Sequence, residues 1–267
     1  MNDREASSFW DHLDVLRKVL LRCLIAWVIG AAAAFCFKTA LFDLLFAPSR
    51  DNFISYRGLA WLCEKTGWQS LCPGSFEASF INTELAEQFM THIKVALGAG
   101  LVVVSPYLIV QLYGFIAPAL YDNEKKAVRK AFGMSSFLFY LGVAVGYFIV
   151  LPVCLMFFMN YTVSDTVQNT ISLGSYISLF TSMVFLIGLL FEFPTVVLVL
   201  SSMGILTRKQ LRGYRKAAFV VILVLAAFIT PSDPFSMFVL SIPLYGLYEF
   251  SILVCKPDTP SDDDLAE

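Results

Sequence analysis

Long apolar stretches separated by short charged connections constrain this chain more than any other feature of its sequence. A helix needs about 20 apolar residues to cross the hydrocarbon core of a bilayer. Six stretches qualify, and the last two are short and flank a tight turn at residues 231–234. The stretches run from Val19 to Phe37, Phe89 to Ala117, Phe132 to Met159, Tyr176 to Gly204, Ala217 to Thr230 and Phe235 to Val254. The sequence therefore predicts an all-α fold, a polytopic membrane protein of six transmembrane helices with the last two short.

The composition supports a bilayer as the natural solvent. Of the 267 residues, 58% are hydrophobic and 15% are charged, whereas soluble domains have about 25% charged residues. Acidic residues such as Asp3 and Glu5 precede the first apolar stretch. A secretory signal begins with a basic segment instead, so we expect an uncleaved first helix.

The distribution of Lys and Arg predicts which side of the membrane each connection faces. Basic residues favour the cytoplasmic side. If the N-terminus is cytoplasmic, the inner segments hold 14 Lys and Arg and the outer segments hold 5. We therefore expect a multi-pass protein of the cell inner membrane with both termini in the cytoplasm.

This topology predicts three regions along the chain. They are a cytoplasmic amphipathic segment at 1–18, a transmembrane domain at 19–254 and a disordered cytoplasmic tail at 255–267 with three consecutive Asp. The predicted connections are an outer loop at about 38–88 and inner loops at about 118–131 and 205–216.

Two of the six cysteines, Cys63 and Cys72, fall in the long outer loop, on the oxidising side of the membrane. A disulfide between them is one interpretation, and two unrelated thiols are the other. The other cysteines lie in or near the helices and are interpreted as small core residues.

Glu192 is the most unusual residue of the apolar stretches, because the run around it contains no other charge. An ionisable side chain at that depth costs a few kcal/mol and usually faces a cavity, a partner or a substrate path. At helical spacing Thr181, Gly188 and Thr195 share its face. Pro194 removes a backbone donor and should kink or loosen the helix there. This polar stripe favours a function, and a protonated Glu that only packs in the bundle is the alternative.

Other polar residues of the stretches carry weaker signals. Gln111 follows Pro106 in the second stretch, where an interhelical hydrogen bond and a functional role are equally compatible with the sequence. Glu249 lies near the inner end of the last stretch, in the membrane or at its surface. Asp233, in the outer turn, caps a helix or faces solvent.

The sequence gives no support for catalysis, a metal or a cofactor. His12 and His92 fall on opposite membrane faces under this topology, so they cannot jointly bind a metal. The motifs of serine hydrolases, zinc proteases and nucleotide-binding loops do not occur. We therefore expect neither an enzyme nor a cofactor.

Acidic and basic residues lie side by side at two places on the predicted inner face. One is the N-terminal segment around Asp11 and Asp14, and the other is the loop that carries Glu124. Carboxylates fixed at a membrane surface bind guanidinium groups in a bidentate manner. The simpler alternative is that these charged residues are solvated and only set the membrane topology.

Five ordered motifs, spread over the whole chain, resemble those of the TatC family, the multispanning receptor of the twin-arginine protein translocase. The motifs are His12-Leu13-x-x-Leu16-Arg17-Lys18, the loop Phe115–Lys126 (F-I-A-P-A-L-Y-x-x-E-K-K), Phe191-Glu192-x-Pro194, Thr230-Pro231-x-Asp233-x-Phe235-Ser236 and Ile242-Pro243-x-Tyr245-x-x-x-Glu249.

The resemblance implies a glove-like bundle with a concave, polar-lined face, and it implies a function. Such a protein binds twin-arginine signal peptides of folded cargo at its cytoplasmic face and nucleates the export channel, driven by the proton-motive force. The implied partners are these signal peptides, small single-span subunits of the TatA and TatB type and further copies of the chain, without nucleic acid. The implied signal-peptide residues are Glu124, Arg17, Asp14, His12 and Leu13, and the implied concave-face residues are Glu192, Pro194, Gln111, Asp233, Glu249, Pro48 and Phe89.

The N-terminal motif departs from the family pattern at one important position. Val15 stands where the family usually has Glu, and Asp14 precedes it. A shift of one residue rotates a side chain by about 100° around a helix. Either Asp14 reaches the same site from another angle, or Glu124 carries more of the recognition.

Two other classes of membrane protein are alternatives. A proton-coupled secondary transporter would use Glu192 as its ion site and would show internal repeats with paired broken helices. The halves of the chain show no convincing repeat. A purely structural membrane anchor is the second alternative.

Overall fold

The computed structural model describes residues 2–66, 79–119, 122–161, 164, 170–230 and 234–255. A two-residue strand β1 (Phe80–Ile81) pairs in parallel with β2 (Ile171–Ser172). The helices are α1 (Asn2–Cys36), α2 (Lys38–Phe46), α3 (Ile54–Thr66), α4 (Glu87–Ile116), α5 (Asp122–Val145), α6 (Leu151–Asn160), α7 (Leu173–Thr181), α8 (Ile187–Leu190), α9 (Phe193–Ser202), α10 (Arg208–Gly213), α11 (Arg215–Ile229) and α12 (Pro234–Val254).

Within the described residues, five helical segments are long and apolar enough to cross a membrane. The predicted fifth span is α11, whose 15 residues reach only about 22 Å, short of a hydrocarbon core of about 30 Å. The α12 helix has 21 residues and reaches about 31 Å. The all-α membrane fold is therefore confirmed, but the count of six full spans is not. The five segments are Leu13–Cys36, Glu87–Ile116, Val128–Asn160, Leu173–Ser202 and Pro234–Val254.

The core of the bundle forms where two helical spans each contain a π turn. The turn at Gly146–Val150 joins α5 to α6, and the turn at Ser182–Leu186 joins α7 to α8. The two turns pack closely, because the space beside Gly146 is filled by the backbone of Met183. Small residues allow helices to approach in this way within a bilayer.

The α1 helix packs antiparallel along α4. The ring of Phe35 stacks on His92 at 3.8 Å, and Gly100 lies against the backbone of Gly30 and Ala31. Because the helices run in opposite directions, the N-terminal part of α1 lies at the same end of the bundle as the start of α5.

The predicted outer loop is structured over much of its length. It contains α2 and α3, joined through a 3₁₀ turn at Ala47–Ser49. The hydroxyl of Tyr56 donates to the carbonyl of Pro48 at 2.8 Å. Burial raises the pKa of Tyr56 well above its usual range, so the hydroxyl stays protonated.

Candidate functional site

Glu192 lies at a break between two helices. The α8 helix ends at Leu190 and α9 begins at Phe193, with Pro194 in the first turn of α9. Proline has no N–H to donate, which accounts for the interruption. The break places the Glu192 backbone at the N-cap position of α9.

The half-buried carboxyl of Glu192 has one satisfied and one unsatisfied oxygen. Its Oε2 accepts a hydrogen bond from Ser135 of α5, whose side chain is fully buried. Its Oε1 forms no hydrogen bond of normal geometry among the described residues, although the side chain of Thr195 lies close enough to interact with the carboxyl. A polar atom left without a partner in a protein interior is uncommon and calls for a specific explanation.

The stripe predicted around Glu192 is only partly formed. Thr195 is buried one turn beyond Glu192, and Gly188 packs against Val143 and Phe139 of α5. Thr181 instead lines a separate cavity together with Trp27. The prediction assumed a regular helix from Thr181 to Glu192, whereas the π turn at Ser182–Leu186 has more residues per turn and changes the register.

The remaining residues proposed for the concave face are distributed along the bundle. Phe89 is exposed in the first turn of α4, and Gln111 lies about 33 Å further along the same helix. Pro48 is buried in the 3₁₀ turn of the outer loop. Asp233 lies outside the described residues. Phe89 and Gln111 therefore lie at different levels of the bundle, and a shared site with Glu192 stays a prediction.

Glu249 forms an ion pair that joins α12 to the start of α11. Nη2 of Arg215 lies 2.7 Å from Oε2 of Glu249, and the hydroxyl of Tyr245 donates to Oε1 at 3.2 Å. The nearby Tyr248 donates to the carbonyl of Leu211 at 2.7 Å. These contacts hold the last helix against the α10–α11 connection.

The residues proposed to bind a signal peptide lie on two segments at the same end of the bundle, α1 and the start of α5. Leu13, Asp14 and Arg17 are exposed on α1. His12 lies in α1 and Glu124 in the first turn of α5, but their side chains fall outside the described part of the structure.

The start of α5 is held firmly against α4. Nε of Arg129 donates to the hydroxyl of Tyr113 at 3.3 Å, and the ring of Tyr113 packs 5.4 Å from that of Phe132. Val128 is fully buried beside Ile116. The helix that carries Glu124 is therefore packed against α4 from Val128 onward.

Sequence reasoning missed the partners of both acidic residues in the apolar stretches. Ser135 gives no signal in an apolar stretch, because a small hydroxyl is common there. Arg215 was counted only as a topology signal. Sequence reasoning also missed Glu87, whose carboxylate accepts from the backbone N–H of Thr83 at 2.8 Å and of Gly174 at 2.5 Å, joining two outer segments.

The described residues contain no group of three or more His, Cys, Asp and Glu side chains that could hold a metal ion. Cys63 is disulfide-bonded. Cys72 lies outside the described residues.

Known proteins match this chain over most of its length. The family model described as "Sec-independent protein translocase protein (TatC)" matches residues 11–243. A TatC of Blattabacterium sp. subsp. Periplaneta americana (strain BPLAN) is 34% identical over 95% of this chain and 96% of its own. The TatC of Escherichia coli (strain K12) is 33% identical over 92% of this chain and 86% of its own.

Solved structures agree with the sequence relatives. A crystal structure described as the twin arginine translocase receptor TatC has a TM-score of 0.72 and 33% identity, and covers 91% of this chain and 97% of its own. A second crystal structure, of the same receptor in DDM, has a TM-score of 0.75 and 32% identity. It covers 92% of this chain and 99% of its own. This chain therefore belongs to the TatC family of Sec-independent protein translocase proteins.

Proposed function

We propose that this protein binds twin-arginine signal peptides at the cytoplasmic face of the inner membrane and nucleates assembly of the channel that exports folded proteins. Export draws on the proton-motive force. The observation that supports the proposal is that two segments lie at the same end of the bundle: the part of α1 with the exposed Asp14 and Arg17, and the first turn of α5 with Glu124.

The chemistry of these residues suits a pair of arginines. Each guanidinium group presents a planar set of donors that matches a carboxylate. In this proposal Glu124 accepts from the arginine pair, with help from Asp14. The apolar part of the signal peptide then lies along the lipid-facing surface of the bundle.

A second element of the proposal concerns Glu192. Its unsatisfied Oε1 lies beside a helix break, where a polar group of a partner helix would complete the hydrogen bonding. Small single-span subunits of the TatA and TatB type are the proposed partners, with further copies of this chain in the assembly. Site-specific crosslinking tests this pairing. If such subunits crosslink equally to wild type and to Glu192→Ala, Glu192 only packs within the bundle.

The function as a whole is tested in cells. Deleting the gene should leave twin-arginine cargo folded in the cytoplasm, and the wild-type gene should restore export. Normal export in the deletion strain would contradict the proposal. Family membership in a protein translocase does not favour the proton-coupled carrier.

A further inference from the structure

A cavity of ≈ 590 Å³ lies between α2, β1 and the first two turns of α4. Its wall combines the polar residues Lys38, Asn82, Gln88 and His92 with apolar side chains such as Phe42 and Phe46. The first membrane span ends at Cys36 and the second begins at Glu87. The cavity therefore lies where two spans reach the membrane surface.

His92 is the buried polar residue of this cavity. Its side chain is 8% exposed, and its ring stacks on Phe35 and meets the edge of Phe42 at 5.6 Å. Among the described residues, no group forms a hydrogen bond with Nε2 of His92. A buried nitrogen of this kind carries its full desolvation cost unless a bound group forms a hydrogen bond with it.

The rim of the cavity supplies one cation and two amides. Lys38, Asn82 and Gln88 are exposed there, and Lys38 forms no ion pair within the described structure. Glu87 forms no ion pair with Lys38 within the described structure; its carboxylate accepts backbone hydrogen bonds instead, from Thr83 and Glu84 on one oxygen and Gly174 on the other.

Exposed apolar side chains also line this cavity. Phe89 is 57% exposed and Ile81 44%, and both line the cavity. Aromatic and apolar residues at this level of a membrane protein contact the boundary between headgroups and acyl chains. A ligand that fits must therefore have an anionic or acceptor-rich part next to a long apolar part.

We propose that this cavity is a phospholipid site, in which Lys38 pairs with the phosphodiester and Nε2–H of His92 donates to a phosphate or ester oxygen of the lipid. The amides of Asn82 and Gln88 contact the headgroup. The acyl chains follow the phenylalanine wall toward the bilayer. Free phosphate fits poorly, because it leaves the apolar half of the cavity in contact with water.

Lipid binding to the purified full-length protein tests this site. The delipidated protein is titrated with dioleoylphosphatidylglycerol, dioleoylglycerol or inorganic phosphate, and native mass spectrometry counts bound molecules while thermal melting reports stabilisation. We expect the phospholipid alone to bind and raise the Tm. His92→Phe, which keeps the ring stack, and Lys38→Gln should each weaken phospholipid binding by about tenfold, since each loses one contact to a charged group.

Matched variants separate this site from general lipid contact. Thr91→Val changes a buried neighbour of His92, and Lys65→Gln removes an exposed cation that lies over Trp61. Both should bind phospholipid like wild type. Equal stabilisation by inorganic phosphate or by dioleoylglycerol would overturn the proposal, as would wild-type binding by Lys38→Gln, an exposed substitution that should not disturb folding.

Discussion

The hydroxyl of Ser135 on α5 donates a hydrogen bond to the carboxyl of Glu192, which lies at the break between α8 and α9. The acidic side chain is thereby fixed to a neighbouring helix. Its second oxygen forms no hydrogen bond of normal geometry within the described structure, although the side chain of Thr195 lies nearby. The pair combines a positioned carboxyl group with an open hydrogen-bonding position, the arrangement that a partner helix with a polar residue would need.

Ser135→Ala should weaken both the fold and partner assembly. The substitution removes the donor to Oε2 of Glu192 and leaves a buried acceptor, which costs about 1–3 kcal/mol. Thermal melting and crosslinking to a small single-span subunit are the measurements. Ser136→Ala is the control, since it changes the adjacent hydroxyl on the same helix. Wild-type crosslinking by Ser135→Ala would show that the partner does not need a fixed carboxyl group.

Gly142→Ala should destabilise the bundle beside Glu192. An added Cβ would lie 2.6 Å from Cγ of Phe191 and 2.9 Å from Cα of Gly188, so the helices would have to separate. Overpacking of this kind costs about 1–3 kcal/mol. At Gly133, on the same helix, an added Cβ meets nothing within 4 Å. Gly133→Ala should be neutral or slightly stabilising, and equal melting of the two variants would refute the close approach.

The ion pair between Arg215 and Glu249 should contribute modestly to stability. The side chains are 47% and 34% exposed, so solvent screens their attraction. A double-mutant cycle with Arg215→Gln and Glu249→Gln should give a coupling of about 0.2–1 kcal/mol that falls with added salt. A coupling that is absent at low salt would mean that the pair does not hold α12 to α11.

Glu87→Gln should loosen the two outer segments. The carboxylate accepts from Thr83, Glu84 and Gly174, whereas an amide keeps only one acceptor oxygen. We expect a lower midpoint of thermal or denaturant unfolding, because one of the joined backbone groups loses its acceptor. Glu84→Gln is the matched control, because the Glu84 side chain is exposed. If both variants unfold alike, Glu87 does not join the segments.

Hydropathy predicted the long spans well, because length and apolar content decide which helices can cross a bilayer. The predicted stretch Tyr176 to Gly204 corresponds to the observed segment Leu173–Ser202. The same reasoning overestimated α11, whose 15 residues do not form a full span by length. It also left α2 and α3 out, since their stability comes from packing in the outer loop and not from span length.

The detail of the site depended on tertiary packing that no sequence pattern shows. The π turn at Ser182–Leu186 changes the helical register, so Thr181 could not be placed correctly by counting residues. Ser135 meets Glu192 from 57 residues away. The interruption at Pro194 was predictable, because it follows from the missing backbone N–H.

Signal-peptide affinity tests the central claim most directly. Wild-type protein in lipid nanodiscs should bind a fluorescent Arg-Arg signal peptide at least about tenfold more tightly than its Lys-Lys counterpart, since Lys lacks the bidentate geometry. Glu124→Gln should lose about tenfold or more in affinity, because a charged hydrogen-bond partner is removed. Asp122→Asn, the matched control two residues earlier, should bind like wild type. Unchanged Arg-Arg peptide affinity in Glu124→Gln would contradict the account.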